Sequence, residues 1–271
     1  MVFSRHIARK RFGQHWLNDE SVLDMIISAA ELQPDDRVLE IGPGRGALTE
    51  RLLNSEASLI HAIELDRDLV TGLKKRFAAK SRFALTEGDV LSVPLKLSDG
   101  IWSTKVVANI PYNITGPLLE RLIGGLSKPA ENIYKRLVIL LQKEVADRIL
   151  AKPGESNFSA ISVRFQLLAK SSGVCLVPPK CFQPAPKVYS KVILIEPFCL
   201  KERIQPEIAQ KVEILLNAAF RSRRKMLRNT LGSLPFFDQI EIAAAQAGIS
   251  LRQRPQEISS LLWIQLAQAL S

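Results

Sequence analysis

Four consecutive residues, Asn109-Ile110-Pro111-Tyr112, carry the sharpest chemical signal in the sequence. They follow the apolar run Lys105–Ala108, which reads as a β-strand, so they stand at a strand's carboxyl end, where ligands of parallel sheets gather. An exocyclic amine such as adenine N6 is a poor nucleophile because its lone pair is delocalised into the ring. The Asn109 side-chain oxygen and the Ile110 carbonyl can each accept one hydrogen of such an amine, while Pro111 stiffens the intervening chain. Orientation and electrostatics then aim the lone pair at an electrophilic methyl group, and no strong base is required. Tyr112 offers a face on which an extruded base can stack. The bland alternative is a proline-containing strand end with a core tyrosine.

The electrophile's carrier is suggested upstream. Val38-Leu39-Glu40-Ile41 runs into Gly42-Pro43-Gly44-Arg45-Gly46, a glycine loop between a strand and a helix that lets a ligand approach the backbone. Gly42, Gly44 and Ala47 also satisfy the spacing of a nicotinamide-binding loop, so the loop alone leaves the nucleotide open. Glu64 closes the next strand in Ala62-Ile63-Glu64-Leu65-Asp66, where a carboxylate can accept both ribose hydroxyls of a nucleoside and disfavours a 2′-phosphorylated one. Asp89, after Gly88, closes the third, where it can accept from an adenine amino group. Singly, either acid is readable as a surface charge at a strand end. Three successive strand ends, each offering a nucleoside contact, point to a nucleoside cofactor.

The elements that position these residues follow from the apolar pattern. Strands are expected at Arg37–Ile41, Leu59–Glu64, Phe83–Thr86, Lys105–Ala108 and Leu137–Leu141, alternating with amphipathic stretches, as in a mainly parallel sheet covered by helices. Val174–Val177 and Val188–Ile195 have no helical pattern between them and are expected to pair as an antiparallel edge hairpin. A helix is expected after Asn18, read as its N-cap, with Val22, Met25, Ile26 and Ala29 as the apolar stripe. Beyond Pro197 helical periodicity takes over, through Ile208, Val212, Leu215, Leu216 and Ala219 and again over 259–270. The expected division is an α/β domain over 1–198 and a small all-α domain over 199–271.

Composition bounds the partners. A chain of 271 residues that is 46% hydrophobic can bury a substantial core, and its net charge of +10 favours a polyanion. The charge clusters at Arg9-Lys10-Arg11 and at Arg221, Arg223, Arg224, Lys225 and Arg228, where helical spacing can bring two or three cations to one side of a groove. Solvated helix faces are the alternative. Cys175, Cys181 and Cys199 form no CxxC pair and have no nearby histidine, so neither disulfides nor a metal site is expected. No apolar run reaches the roughly 18 residues of a membrane span, and the opening residues lack a secretory apolar region, so a cytoplasmic protein is expected, or an organelle stromal or matrix one after loss of a transit peptide.

In block order the chain resembles the ribosomal RNA adenine N6,N6-dimethyltransferase family, and most closely its small-subunit branch. The blocks are Arg11-Phe12-Gly13-Gln14-His15-Trp16-Leu17, Glu40–Gly46, Glu64-Leu65-Asp66, Gly88-Asp89, Asn109–Thr115, Phe182–Val188 and Ala219–Leu231. The resemblance implies a Rossmann-like class I methyltransferase fold with S-adenosylmethionine as cofactor, and a helical C-terminal domain that binds RNA. It implies that His15 and Leu17 contact the cofactor, Gly42 its methionine end, Glu64 the ribose, Asp89 the adenine and Asn109 the methyl-transfer centre. It places Phe182 opposite Tyr112 across the target base. It further implies a monomer acting on small-subunit rRNA in a pre-ribosomal particle, at two adjacent adenosines of the 3′-terminal hairpin loop. The sequence departs from the family pattern at His15, often asparagine, at Asn157-Phe158-Ser159, and at Tyr189, often an acid. The rivals are a large-subunit rRNA adenine methyltransferase, a DNA adenine methyltransferase, and an assembly or transcription factor using the fold for binding.

Overall fold

The computed structural model describes residues 9, 13–97, 99–132 and 134–270. Lys10, Arg11 and Phe12, which belong to the N-terminal basic cluster and to the first motif block, lie outside the described residues. The chain gathers into two compact units. One comprises Met1–Ile123, Asn132–Ala146 and Ser172–Pro197; the other comprises Gly124–Glu131, Asp147–Ser171 and Phe198–Ser271.

In the first unit the short strand β1 (Trp16–Leu17) precedes α1 (Glu20–Ala30). Then β2 (Arg37–Ile41), α2 (Ala47–Asn54), β3 (Leu59–Glu64), α3 (Arg67–Arg76), β4 (Phe83–Glu87), β5 (Lys105–Asn109), α4 (Thr115–Ile123) and β6 (Arg136–Gln142) follow. After α5 (Lys143–Leu150) and α6 (Ala160–Leu168) come β7 (Ala169–Val177), β8 (Phe182–Gln183) and β9 (Ser190–Pro197). The main sheet has the order β4-β3-β2-β5-β6-β9-β7. Strands β4 to β6 are parallel, and β9 runs antiparallel to β6 with Leu137 opposite Ile195 and Gln142 opposite Ser190. Strands β2, β3, β5 and β6 are buried along nearly their whole length and mainly apolar because both their faces are covered. That is why the five expected parallel strands stand where the apolar runs do, within a residue at each end.

The order of the parallel strands reverses at β2, with β3 on one side and β5 on the other. A crevice must open at the carboxyl ends of those strands, since their crossovers leave in opposite directions. Helix α1 is capped by Asp19, not by Asn18: the Asp19 carboxylate accepts the Val22 N–H at 3.1 Å. Asn18 is engaged otherwise, its own N–H donating to the Cys181 carbonyl at 2.9 Å.

The second unit is helical, with α7 (Pro206–Ala219), α8 (Leu227–Leu231), α9 (Phe237–Gln246) and α10 (Ser260–Ala269). Helix α10 packs on α7, α9 and also α6, and Arg164 of α6 forks onto Glu213 of α7 at 2.7–3.0 Å. This unit therefore draws in segments that precede residue 199, where the linear change of texture suggested a single cut. Among the described residues no helix is long and apolar enough to cross a membrane.

Candidate active site

A cavity of about 260 Å³ opens at the carboxyl ends of β2 to β5. His15, Gly42, Gly44, Glu64, Asp89, Asn109, Ile110, Pro111 and Tyr112 all line it, so segments far apart in sequence meet there.

The glycine loop forms its floor. Gly42 and Gly44 have φ of +67° and +58°, conformations that L side chains rarely adopt. A Cβ on Gly44 would also stand 2.8 Å from Trp16 Cδ1, so close approach as well as backbone angle demands glycine there. Trp16 is a wall residue that sequence reasoning missed. Its ring is buried, lines the cavity and lies under the Arg45 guanidinium, 3.9 Å from the ring centroid.

Glu64 ends β3 only 6% exposed. One carboxylate oxygen accepts the Gly44 N–H at 3.2 Å and the other the Asp66 N–H at 2.9 Å. Burial raises its pKa, and those two backbone donors work against the rise by favouring the charged form. A carboxylate has about four acceptor positions, so Glu64 keeps acceptor capacity for a ribose hydroxyl beyond these bonds. Asp89, exposed on the adjacent rim, uses one oxygen to accept the Leu91 N–H at 2.9 Å.

Asn109 ends β5, and its Nδ2 donates to the His15 backbone carbonyl at 3.0 Å. A carbonyl can only accept, so this bond fixes the amide's orientation and assigns Oδ1 as the acceptor presented elsewhere. Tyr112 is half-buried, with its hydroxyl 2.6 Å from Ser190 Oγ and its pKa raised by burial. The His15 ring stacks against it, 5.7 Å between centroids and 24° between planes. His15 Nδ1 lies 2.7 Å from the Pro184 carbonyl and so carries the proton of that hydrogen bond.

Two expected residues stand off the cavity wall. Leu17 and Phe182 are register partners in the β1–β8 ladder and therefore share a face. That face points into the core shared with Leu23, Ile26 and Val192, and Phe182 is only 5% exposed. The ring against Tyr112 is that of His15. Alternation along β1 sends the neighbouring Trp16 towards the cavity and Leu17 away from it.

The basic segment lies in the helical unit, between α7 and the start of α8. Residues 221–226 form turns and not helix, with the Lys225 N–H donating to the Ser222 carbonyl at 3.1 Å, so the helical spacing expected of these cations does not apply. Arg221, Arg224, Lys225 and Arg228 are exposed and make no salt bridge to a described residue. Arg223 differs, because its guanidinium donates to the Ser156 carbonyl.

A glycine cradle, a buried carboxylate with acceptor capacity to spare, a second acid on the rim and an oriented amide around one cavity fit S-adenosylmethionine, and fold and cavity together define a class I methyltransferase dependent on it. A family model described as ribosomal RNA adenine dimethylase matches residues 5–271. The chain belongs to that family, as the order of its motif blocks implied. A Prochlorococcus marinus (strain MIT 9313) protein named Ribosomal RNA small subunit methyltransferase A is 63% identical over 271 residues, covering 100% of this chain and 97% of that one. A protein of the same name from Synechococcus sp. (strain CC9902) is 64% identical, with 100% and 99% covered. Among solved structures, a dimethyladenosine transferase from Plasmodium falciparum matches with a TM-score of 0.80 and 27% identity, over 93% of this chain and 96% of that one. The 23S rRNA methyltransferase ErmE shares the fold, with a TM-score of 0.71 and 23% identity over 94% and 99%.

Proposed function

We propose that this enzyme dimethylates N6 of two adjacent adenosines in the 3′-terminal hairpin loop of 16S-type small-subunit rRNA, acting as a monomer on a pre-ribosomal particle. The observation that carries the reading is the Asn109–His15 bond, which commits the amide nitrogen and leaves Oδ1 as an acceptor at the strand end. The names of relatives more than 60% identical over the whole chain support the choice of the small subunit.

The bound cofactor supplies a methyl group made electrophilic by its sulfonium. Glu64 accepts the ribose hydroxyls, Asp89 accepts the adenine amino group, and the backbone at Gly42 and Gly44 receives the methionine end. Asn109 Oδ1 and the Ile110 carbonyl accept the two N6 hydrogens and so turn the nitrogen lone pair towards the methyl group. Tyr112, held by Ser190 and His15, stacks on the base. The proton becomes acidic only after the nitrogen is alkylated, so loss to solvent suffices. The exposed cations of the helical unit hold RNA phosphates.

The test is incubation with labelled cofactor and under-methylated small subunits, followed by mapping of methylated adenosines by mass spectrometry. Two adjacent dimethyladenosines in the small-subunit loop are expected. Label in the large subunit, or none, would overturn the assignment.

A further inference from the structure

Glu40, on β2 just before the glycine loop, is not on the cavity wall, yet it is 1% exposed and makes no salt bridge to a described residue. Neither of its oxygens, nor the Thr49 hydroxyl of α2 that faces it, makes a hydrogen bond of good geometry. Its register partner on β3 is Ala62, so Glu64, two residues further along, shares its face of the sheet. Two buried carboxyls thus stand on neighbouring strand ends behind one ligand cradle, in unequal surroundings. Glu64 has two backbone N–H donors that favour its charged form. Among the described residues Glu40 has no such donors. The charged residues of α2 are engaged away from it, Glu50 with Arg76 and Arg51 with Glu20 and Asp24. On β5 its register partner is Val107. Among the described residues Glu64 is the charged group that acts on it, and that action is repulsive.

We propose that Glu40 is a positioning residue that works as a neutral acid: protonated, it fills the dry space beneath the glycine loop and leaves Glu64 as the single negative charge facing the cofactor ribose. When two carboxyls compete in a water-poor site, the proton goes to the one with fewer donors. Burial accordingly pushes the Glu40 pKa up to about 8, with the Glu64 charge adding to the rise and the Thr49 hydroxyl opposing it. The cofactor role of the cavity is assumed in this inference, so its test begins without cofactor.

The infrared difference spectrum between the wild-type protein and Glu40→Gln at pH 7 should contain the carbonyl band of a protonated carboxylic acid, and this band should vanish on titration above pH 8. Bands of a carboxylate alone at pH 7 would overturn the proposal. Glu40→Gln should also melt higher than wild type by a margin that grows from about pH 5 to 8, because an acid with a raised folded-state pKa loses stability as pH rises through that interval. A margin independent of pH would overturn it too. Calorimetry with S-adenosylmethionine at pH 7 then tests positioning. Glu40→Gln should bind within about threefold of wild type and Glu40→Ala at least about tenfold more weakly, since glutamine keeps the neutral shape that alanine lacks. Glutamine as weak as alanine, or alanine as tight as wild type, would each sink the role. If alanine does not fold, glutamine and the infrared band still decide. A wild-type protein that failed to bind the cofactor would count against the cavity's role while leaving the protonation result intact.

Discussion

The Asn109 side chain is tied by its amide nitrogen to the backbone of His15, 94 positions away in sequence. The carboxyl end of β5 is therefore held by the same N-terminal segment whose histidine ring stacks on Tyr112. One short segment thus fixes both the proposed amine acceptor and the proposed base platform, although neither lies near it in the chain.

Replacing Asn109 by alanine should lower the methyl-transfer rate by at least about 100-fold while leaving cofactor affinity within a few-fold, because the lost contact matters most in the transition state. Single-turnover kinetics beside calorimetric affinity checks this. An equal loss of cofactor binding would make Asn109 a cofactor ligand instead.

Glu64→Ala removes a charge-assisted acceptor and should weaken S-adenosylmethionine binding by roughly 1–3 kcal/mol. Gly44→Ala should weaken it too and lower the melting temperature, because the added methyl meets Trp16 at 2.8 Å and φ is +58°. Unchanged calorimetric affinity in both variants would place the ribose elsewhere.

How much of this was legible in the sequence depends on the range of the forces involved. Parallel strands covered on both faces announce themselves as apolar runs, so Arg37–Ile41 and Leu59–Glu64 coincide with their expected limits. Trp16 was not legible, because a two-residue strand has no periodicity and its place depends on pairing with Gln183. The same pairing decides which way Phe182 points, since a one-residue slip would exchange the faces. For the basic segment the charge was legible, but its conformation was not. Helix α8 starts only at Leu227, and backbone bonds from Leu227 and Arg228 to Gln253 and Leu251 hold the preceding turns in place.

At the opposite ends of the strands, Lys105 and Asp36 form a buried ion pair at 2.6 Å, with side-chain exposures of 8% and 1%. Burial raises the Asp36 pKa, but hydrogen bonds from Lys105, Thr104 and the Gln33 N–H outweigh it and the net shift is downward. A lowered folded-state pKa gives stability that is complete above the unfolded value and is lost as pH falls through the folded one, so this pair should fail only in acid. Asp36→Ala takes the paired carboxylate from the buried Lys105 ammonium, leaving it the Glu31 carbonyl at 2.6 Å, and should cost about 3 kcal/mol at pH 7, as measured by denaturant unfolding. In the variant, the share of the acid-induced loss due to Asp36 should disappear. A cost under about 1 kcal/mol would show the pair to be solvated in effect.

The cations of residues 221–228 divide into two kinds, and the division can be measured. Arg223 is bound to the Ser156 carbonyl within its own unit, so Arg223→Ala should lower the melting temperature. Arg221, Arg224 and Arg228 are exposed and unpaired by any described acid, so neutralising all three should leave the melt nearly unchanged. If they hold RNA phosphates, each contact releases counterions, and the triple variant should bind the small subunit more weakly with a salt dependence flattened by roughly two to three contacts. The methylated positions should not move, because phosphate contacts set register and do not read bases. A triple variant with a lowered melt and an unaltered salt slope would show that these arginines serve the fold of the helical unit, whereas a shift in the modified adenosines would mean that the segment reads the target itself.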